Sequence, residues 1–116
     1  MAVATAKLSN LQMSARKVRL VADLVRGQRI ADARDTLRFT VKASAKPLLK
    51  LLESAVANAE NAAQEEHEDV DTDEMIIERI VVNEGRTLQR FQPAPRGRAS
   101  RIRKRSSHVE IRIADK

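Results

Sequence analysis

Between Gly85 and Arg105 lie eight basic side chains, Arg86, Arg90, Arg96, Arg98, Arg101, Arg103, Lys104 and Arg105, and no acidic one. The stretch has almost nothing to bury and its like charges repel, so it cannot collapse into a core of its own. Whatever the rest of the chain folds into must carry this segment on its surface, where it suits a polyanionic partner. The remainder sharpens the contrast: residues 1–52 hold eleven bases against three acids, and residues 53–84 hold one base against eleven acids. A net charge of +6 therefore hides two basic ends around an acidic middle.

Hydrophobic spacing sets the elements around that segment. Residues 2–11 alternate, with Ala4, Ala6 and Leu8 against Thr5, Lys7 and Ser9, which fits a brief strand. Ser14 is placed to cap a helix through Val25, with Ala15, Val18, Val21, Ala22 and Val25 on one face and Gly27 ending it. Ile30, Ala33, Leu37 and Val41 predict a second short helix. Pro47 suits the first turn of a third, in which Leu48, Leu51, Leu52, Ala55, Val56, Ala59, Ala62 and Ala63 keep helical spacing. Glu65 to Asp73 reads as an acidic loop. From Met75 the pattern turns to strand, with Ile76, Ile77, Ile80, Val81 and Val82, and Val109, Ile111 and Ile113 alternate near the end.

The basic segment lies between these last two strands, with Pro93, Pro95 and Gly97 clustered at its centre, which marks a turn. A reversal between Arg96 and Gly97 sets Val82 across from Ile111 and Ile80 across from Ile113. The same register sets Phe91 beside Ile102 and Arg90 beside Arg103, unless a bulge near the prolines shifts it by one. An arm of about a dozen residues per strand reaches about 40 Å when extended. A body of the remaining residues has a radius of gyration of about 12 Å, so the arm must project. A lone two-stranded ribbon is marginal in water, so the distal arm is expected to be mobile until a ligand orders it.

Composition excludes several functions. Two Phe, no Tyr and no Trp argue against a single-strand reader built on stacking platforms. No cysteine means no disulfide, thiolate metal site or cysteine nucleophile. No apolar run is long enough for a membrane span, and no signal peptide is evident, so a cytoplasmic location is expected. His67 and His108 lack paired ligand spacing, and Asp69, Asp71 and Asp73 lack the glycine and terminal Glu of a calcium loop, so no metal or other cofactor is expected. No nucleophile triad, phosphate-cradling loop or paired carboxylates emerge, which argues against an enzyme. Arg16, Lys17, Arg19 and Arg26 fit an ordinary helix surface as well as a nucleic-acid face, and Asn58 and Asn61 are equally open. Helices at 14–25 and 30–41 also fit a helix-turn-helix DNA-binding protein, although such a reader does not need the arm. A third alternative is an adaptor whose acidic 60–74 segment docks a basic partner.

Longer motifs decide among these. Ser-Ala-Arg-Lys-Val-Arg-Leu-Val at 14–21 with Arg-Gly at 26–27, Leu-Leu-Glu-Ser-Ala-Val-Ala-Asn-Ala-Glu-Asn at 51–61, and Gly97-Arg98-Ala99 followed by Lys104-Arg105-Ser106-Ser107-His108 stand in order with Val82-Asn83-Glu84-Gly85. Jointly they resemble the universal large-subunit ribosomal protein twenty-two family, of bacterial type, over nearly the whole chain. The resemblance implies an α+β fold, three helices packed on a small antiparallel sheet with a long protruding β-hairpin. It also implies a single ribosomal RNA-binding domain over residues 1–116, with the hairpin at about 85–105. Members of that family are non-catalytic constituents of the cytoplasmic ribosome. They bind large-subunit ribosomal RNA beside neighbouring ribosomal proteins, support assembly, and line the peptide exit tunnel with the hairpin. By resemblance the RNA-binding residues are Lys7, Ser14, Arg16, Lys17, Arg19, Arg26, Arg86, Arg90, Arg96, Gly97, Arg98, Arg101, Arg103, Lys104 and Arg105. Arg96, Gly97, Arg98 and Ala99 would form the tip at the tunnel lumen, where a nascent peptide passes. The chain departs from the family pattern at Ala15, at Arg86 and at Pro93-Ala94-Pro95, where the family usually has Pro, Pro and Pro-Arg-Ala.

Overall fold

Val109, Ile111 and Ile113 lie on one side of the last strand, and two further strands complete the surface they begin. The computed structural model describes residues 3–67, 69–93, 95–97 and 99–115; Ala2, Ala94 and Arg98 lie outside the described residues. Strand β1 (Val3–Leu11) and strand β2 (Ile76–Glu84) flank β5 (Ser107–Ala114) in an antiparallel sheet of order β1-β5-β2. One face, with Ala4, Ala6, Ile77, Ile80, Val82, Val109, Ile111 and Ile113, is buried beneath helices. The spacing of three between Ile77 and Ile80 breaks strict alternation, and the pairing register shifts there, at Glu78.

Three helices cover that face. Helix α1 (Ala15–Val25) packs on β2, α3 (Ala45–Glu65) packs on β1, and α2 (Ile30–Phe39) leans on α3. The expected cap of α1 forms: Ser14 Oγ accepts from the Lys17 backbone N–H at 3.4 Å. Helix α2 stops earlier than its apolar spacing predicted. Thr40 is extended, its hydroxyl donates back to the Thr36 carbonyl, and Val41 is 97% exposed instead of continuing the buried face. In α3 Pro47 sits in the first turn, and Leu48, Leu51, Leu52, Ala55, Val56, Ala59 and Ala63 are buried, whereas Ala62 faces solvent. His67, with φ +56°, follows the C-cap of α3, a left-handed position typical of helix ends. Burying each aliphatic side chain contributes roughly 1.5–3 kcal/mol, so a core without aromatic residues is sufficient for this body.

Strands β3 (Leu88–Pro93) and β4 (Ala99–Lys104) form a separate two-stranded ribbon, and every β3 residue is exposed. The molecule measures 67 × 26 × 16 Å with a radius of gyration of 17.5 Å, against roughly 13 Å for a compact chain of this length. The arm projects, as its length required.

Its register differs from the expected one. Val82 pairs with Val109 and Ile80 with Ile111, two residues from the expected partners; a shift of two keeps the same faces buried. In the arm the shift is one residue: Arg90 lies opposite Ile102, Phe91 opposite Arg101, and Gln89 opposite Arg103. The expected Arg90–Arg103 and Phe91–Ile102 pairs are therefore absent. The turn is centred on Arg96 itself, with Arg96 at φ +65° and Gly97 at φ +73°. At the root, three residues (85–87) stand between β2 and β3 against two (105–106) between β4 and β5, which changes the register by one. The resulting register sets each paired base of β3 and β4 across from an uncharged residue, which removes the like-charge opposition of the alternative.

Gly85 closes the root. Its N–H donates to the Ser106 carbonyl at 2.8 Å, Ser106 Oγ donates to the Arg86 carbonyl at 2.7 Å, and His108 Nδ1 accepts from the Asn10 N–H at 3.1 Å. A Cβ on Gly85 would lie 2.6 Å from Ser106 Oγ and 3.1 Å from His108 Nε2. Gly85→Ala is expected to cost about 1–3 kcal/mol in urea unfolding. Much of that cost should disappear in the Ser106→Ala background, where the Oγ is gone; additive losses would contradict this packing.

Candidate nucleic-acid interface

An edge strand leaves a row of unpaired carbonyls, and on β2 Arg19 of α1 and Arg26 just after it cover two of them. The Val82 carbonyl accepts from Arg19 Nε and Nη2 at 3.2 and 2.9 Å, and the Ile80 carbonyl accepts from Arg26 Nη2 at 2.8 Å. Arg26 also pairs with Asp23. Beyond them the segment after α1 lies along the start of β2. Gly27 N–H donates to Ile77 O at 3.1 Å, Ile77 N–H to Gln28 O at 3.0 Å, and Ile30 N–H to Met75 O at 2.8 Å. Arg19 and Arg26, both expected to face RNA, therefore also hold α1 to the sheet. Their spacing in the helix gave no sign of these partners. Asn58 plays the corresponding part on the other edge, its Nδ2 donating to the Thr5 carbonyl at 2.8 Å.

Other arginines are engaged by acids. Arg34 forks onto Glu53 at 2.6 and 3.3 Å and reaches Asp73 at 2.6 Å, joining α2, α3 and the short 3-10 turn at Thr72–Glu74. The hydrogen bond to Glu53 is the main cause that raises the Arg34 pKa further above its ordinary value. Arg29 pairs with Asp32 at 3.3 Å and Glu74 at 3.6 Å, and Arg112 with Glu78 at 3.2 Å. Exposed pairs of this kind each contribute at most about 1 kcal/mol. Their larger effect is to divide the bases into those that serve the fold and those that do not.

Six of the second group gather in one place. A cleft of about 900 Å³ opens between the start of α1, the turn at 42–44 and the base of β4. Arg16, Lys17, Lys42, Arg103, Lys104 and Arg105 line it together with Ser14, and no acid does. Among the described residues none of these six bases makes an ion pair or a side-chain hydrogen bond. Crowding like charges without partners is unfavourable until an anion enters. The cleft joins the N-terminal basic motif to the arm, two regions that the sequence kept about ninety positions apart. Lys42 was not among the expected residues, and its only signal was its place at the head of bases spaced four apart, Lys42, Lys46 and Lys50.

Farther out, Arg86, Arg90, Arg96 and Arg101 are exposed along the arm, with Gly97 and Ala99 exposed at the tip. Arg90 Nη1 donates only to the neighbouring Gln89 carbonyl, at 3.1 Å. Arg98 lies outside the described residues. Lys7 is on β1, in a second hollow beside α3. Among the described residues no three metal-ligating side chains come together, and no helix is long and apolar enough to cross a membrane. The helix-turn-helix alternative finds little to recommend it. Residues 27–30 are bonded to β2, and within α2 Arg38 is the one base outside the acid pairs.

The two groups of bases should behave differently on substitution. Arg19→Met is expected to lower the unfolding free energy by about 1–2 kcal/mol and Lys17→Met to change it by less than about 0.5 kcal/mol. Equal effects in urea titration would contradict the division.

A body of three helices on a three-stranded sheet, a ribbon that leaves it, and a basic cleft at the ribbon's root agree with a further finding. The family model described as Ribosomal protein L22p/L17e matches residues 6–114, from within β1 to the end of β5. With nearly the whole chain matched and its motifs in order, the protein belongs to the ribosomal protein L22p/L17e family.

Proposed function

We propose that this large-subunit ribosomal protein binds ribosomal RNA through its arm and the cleft at the arm's root, supports subunit assembly, and lines the peptide exit tunnel with the hairpin. The observation that carries the reading is the cleft, where six bases from three chain segments stand without an acid. Phosphate is the ligand that such an arrangement suits, because guanidinium forks and ammonium groups bind phosphate oxygens strongly and without regard to sequence. The role is structural, set in the cytoplasmic ribosome beside neighbouring ribosomal proteins, and needs no cofactor.

Arm and cleft divide the work. The cleft sets the start of α1 and the turn at 42–44 against the base of β4. The ribbon beyond Leu88 has no core of its own, and an isolated hairpin is marginal in water, so RNA on both sides supplies the packing that the protein lacks. Family resemblance supports the tunnel assignment, in which Arg96, Gly97, Arg98 and Ala99 meet the lumen and a passing peptide.

Incorporation tests the reading. Arg101→Glu with Arg103→Glu, both exposed and clear of the body's core, should reduce recovery of the protein in large subunits by at least about tenfold, with the far-ultraviolet circular dichroism unchanged. Full recovery at high salt would overturn it. In the protein without RNA, amide order parameters from Arg86 to Arg105 are expected below about 0.6. Values as high as those of β5 would contradict ordering by the ligand.

A further inference from the structure

Helix α3 is divided along its length. Lys46, Lys50, Ser54 and Asn58 are four apart and therefore stack on one face. Asn58 pins that face to β1 through the Thr5 carbonyl at 2.8 Å. The acids nearest this row are engaged elsewhere: Glu53 pairs with Arg34, and Glu60 accepts from the Thr72 hydroxyl at 3.5 Å. Between the row and β1 is a hollow of about 660 Å³, lined by Lys7, Lys46, Lys50 and Ser54 among others, and by no acid. Ala43 borders both this hollow and the cleft at the arm root, so the two adjoin.

We propose that the hollow is a second phosphate-binding track, continuous with the cleft, through which the body holds an RNA backbone independently of the arm. The inference rests on the RNA-binding reading above and adds residues that it does not use. Lys46 and Lys50 make no ion pair or side-chain hydrogen bond among the described residues. One helical turn separates them by roughly 6 Å along the axis, a step comparable with that between neighbouring phosphates of one strand. The Ser54 hydroxyl adds a donor and acceptor suited to a phosphate or a ribose 2′-hydroxyl. Lys42 lines the adjoining cleft with Arg16, Lys17 and Lys104, so a strand following the bases from α3 to the arm root meets no acid among the residues that line either hollow. The bases here are lysines, compact charges with rotatable donors, which suits tracking a backbone more than reading base edges.

Binding of the full chain to large-subunit ribosomal RNA transcribed in vitro, titrated with KCl, tests the proposal. Three proteins are compared: the unaltered chain, K46Q/K50Q, and R101Q/R103Q. Each phosphate contact contributes about 0.7–0.9 to the slope of log K against log salt. K46Q/K50Q should therefore flatten the slope by roughly 1.4–1.8 at unchanged thermal stability, and K46R/K50R should restore it. If K46Q/K50Q binds like the unaltered chain while R101Q/R103Q is weakened, the second track is wrong and the arm reading stands. If neither pair changes the slope, both are wrong.

Discussion

Strand β5 has both of its hydrogen-bonding edges occupied, by β1 on one side and β2 on the other, and the remaining features depend on that double pairing. Its inward residues Val109, Ile111 and Ile113 are buried, which fixes which face the helices cover. Its pairing with β2 also fixes the arm, because β3 and β4 continue the same two strands beyond Gly85 and Ser106. A ribbon with no core can then be held out from a small body, since its root is part of a packed sheet. The one-residue difference at the root sets which arm side chains share a face, and so which bases stand together.

The sheet's outer edges create the second constraint. Carbonyls on β2 and β1 need partners, and Arg19, Arg26 and Asn58 supply them from the helices. A strongly basic chain thereby uses some of its charge for its own architecture, with further arginines tied to the acidic middle segment. What remains is concentrated at the arm, its root and the first turns of α3. The acidic middle therefore does more than keep net charge low: it engages Arg29 and Arg34 at one end of the body. The proposed RNA contacts follow from which bases are left over and where the topology gathers them.

Much of this was legible in the sequence, for physical reasons that differ by element. Amphipathic spacing exposes α1 and α3 because their buried faces are regular, and the acid-free run exposes the arm because nothing in it can be buried. Register was less legible. The extra residue at 85–87 and the turn centred on Arg96 are set by local backbone conformation, to which alternation is blind, so partners were displaced by two in the body and by one in the arm. Val41 keeps helical spacing, yet the chain turns away at Thr40 to reach α3. Arg19 and Arg26 look like surface bases until β2 is placed beside them. Lys42, Lys46 and Lys50 look like solvent-facing charges until β1 and the arm root are placed beside α3. For these bases the missing information was a long-range neighbour.

In the proposed arrangement RNA meets the face carrying the unengaged bases, and the acidic end of α3 points away from it. Lys46 and Glu65 lie about 30 Å apart along that helix. Because the chain has no cysteine of its own, iron can be tethered at single introduced cysteines and hydroxyl-radical cleavage of the RNA mapped in assembled large subunits. Strong cuts from Arg101→Cys and Lys42→Cys, with few or none from Glu66→Cys, are the expected result. Equal cleavage from the acidic end, or none from the arm and cleft, would contradict it.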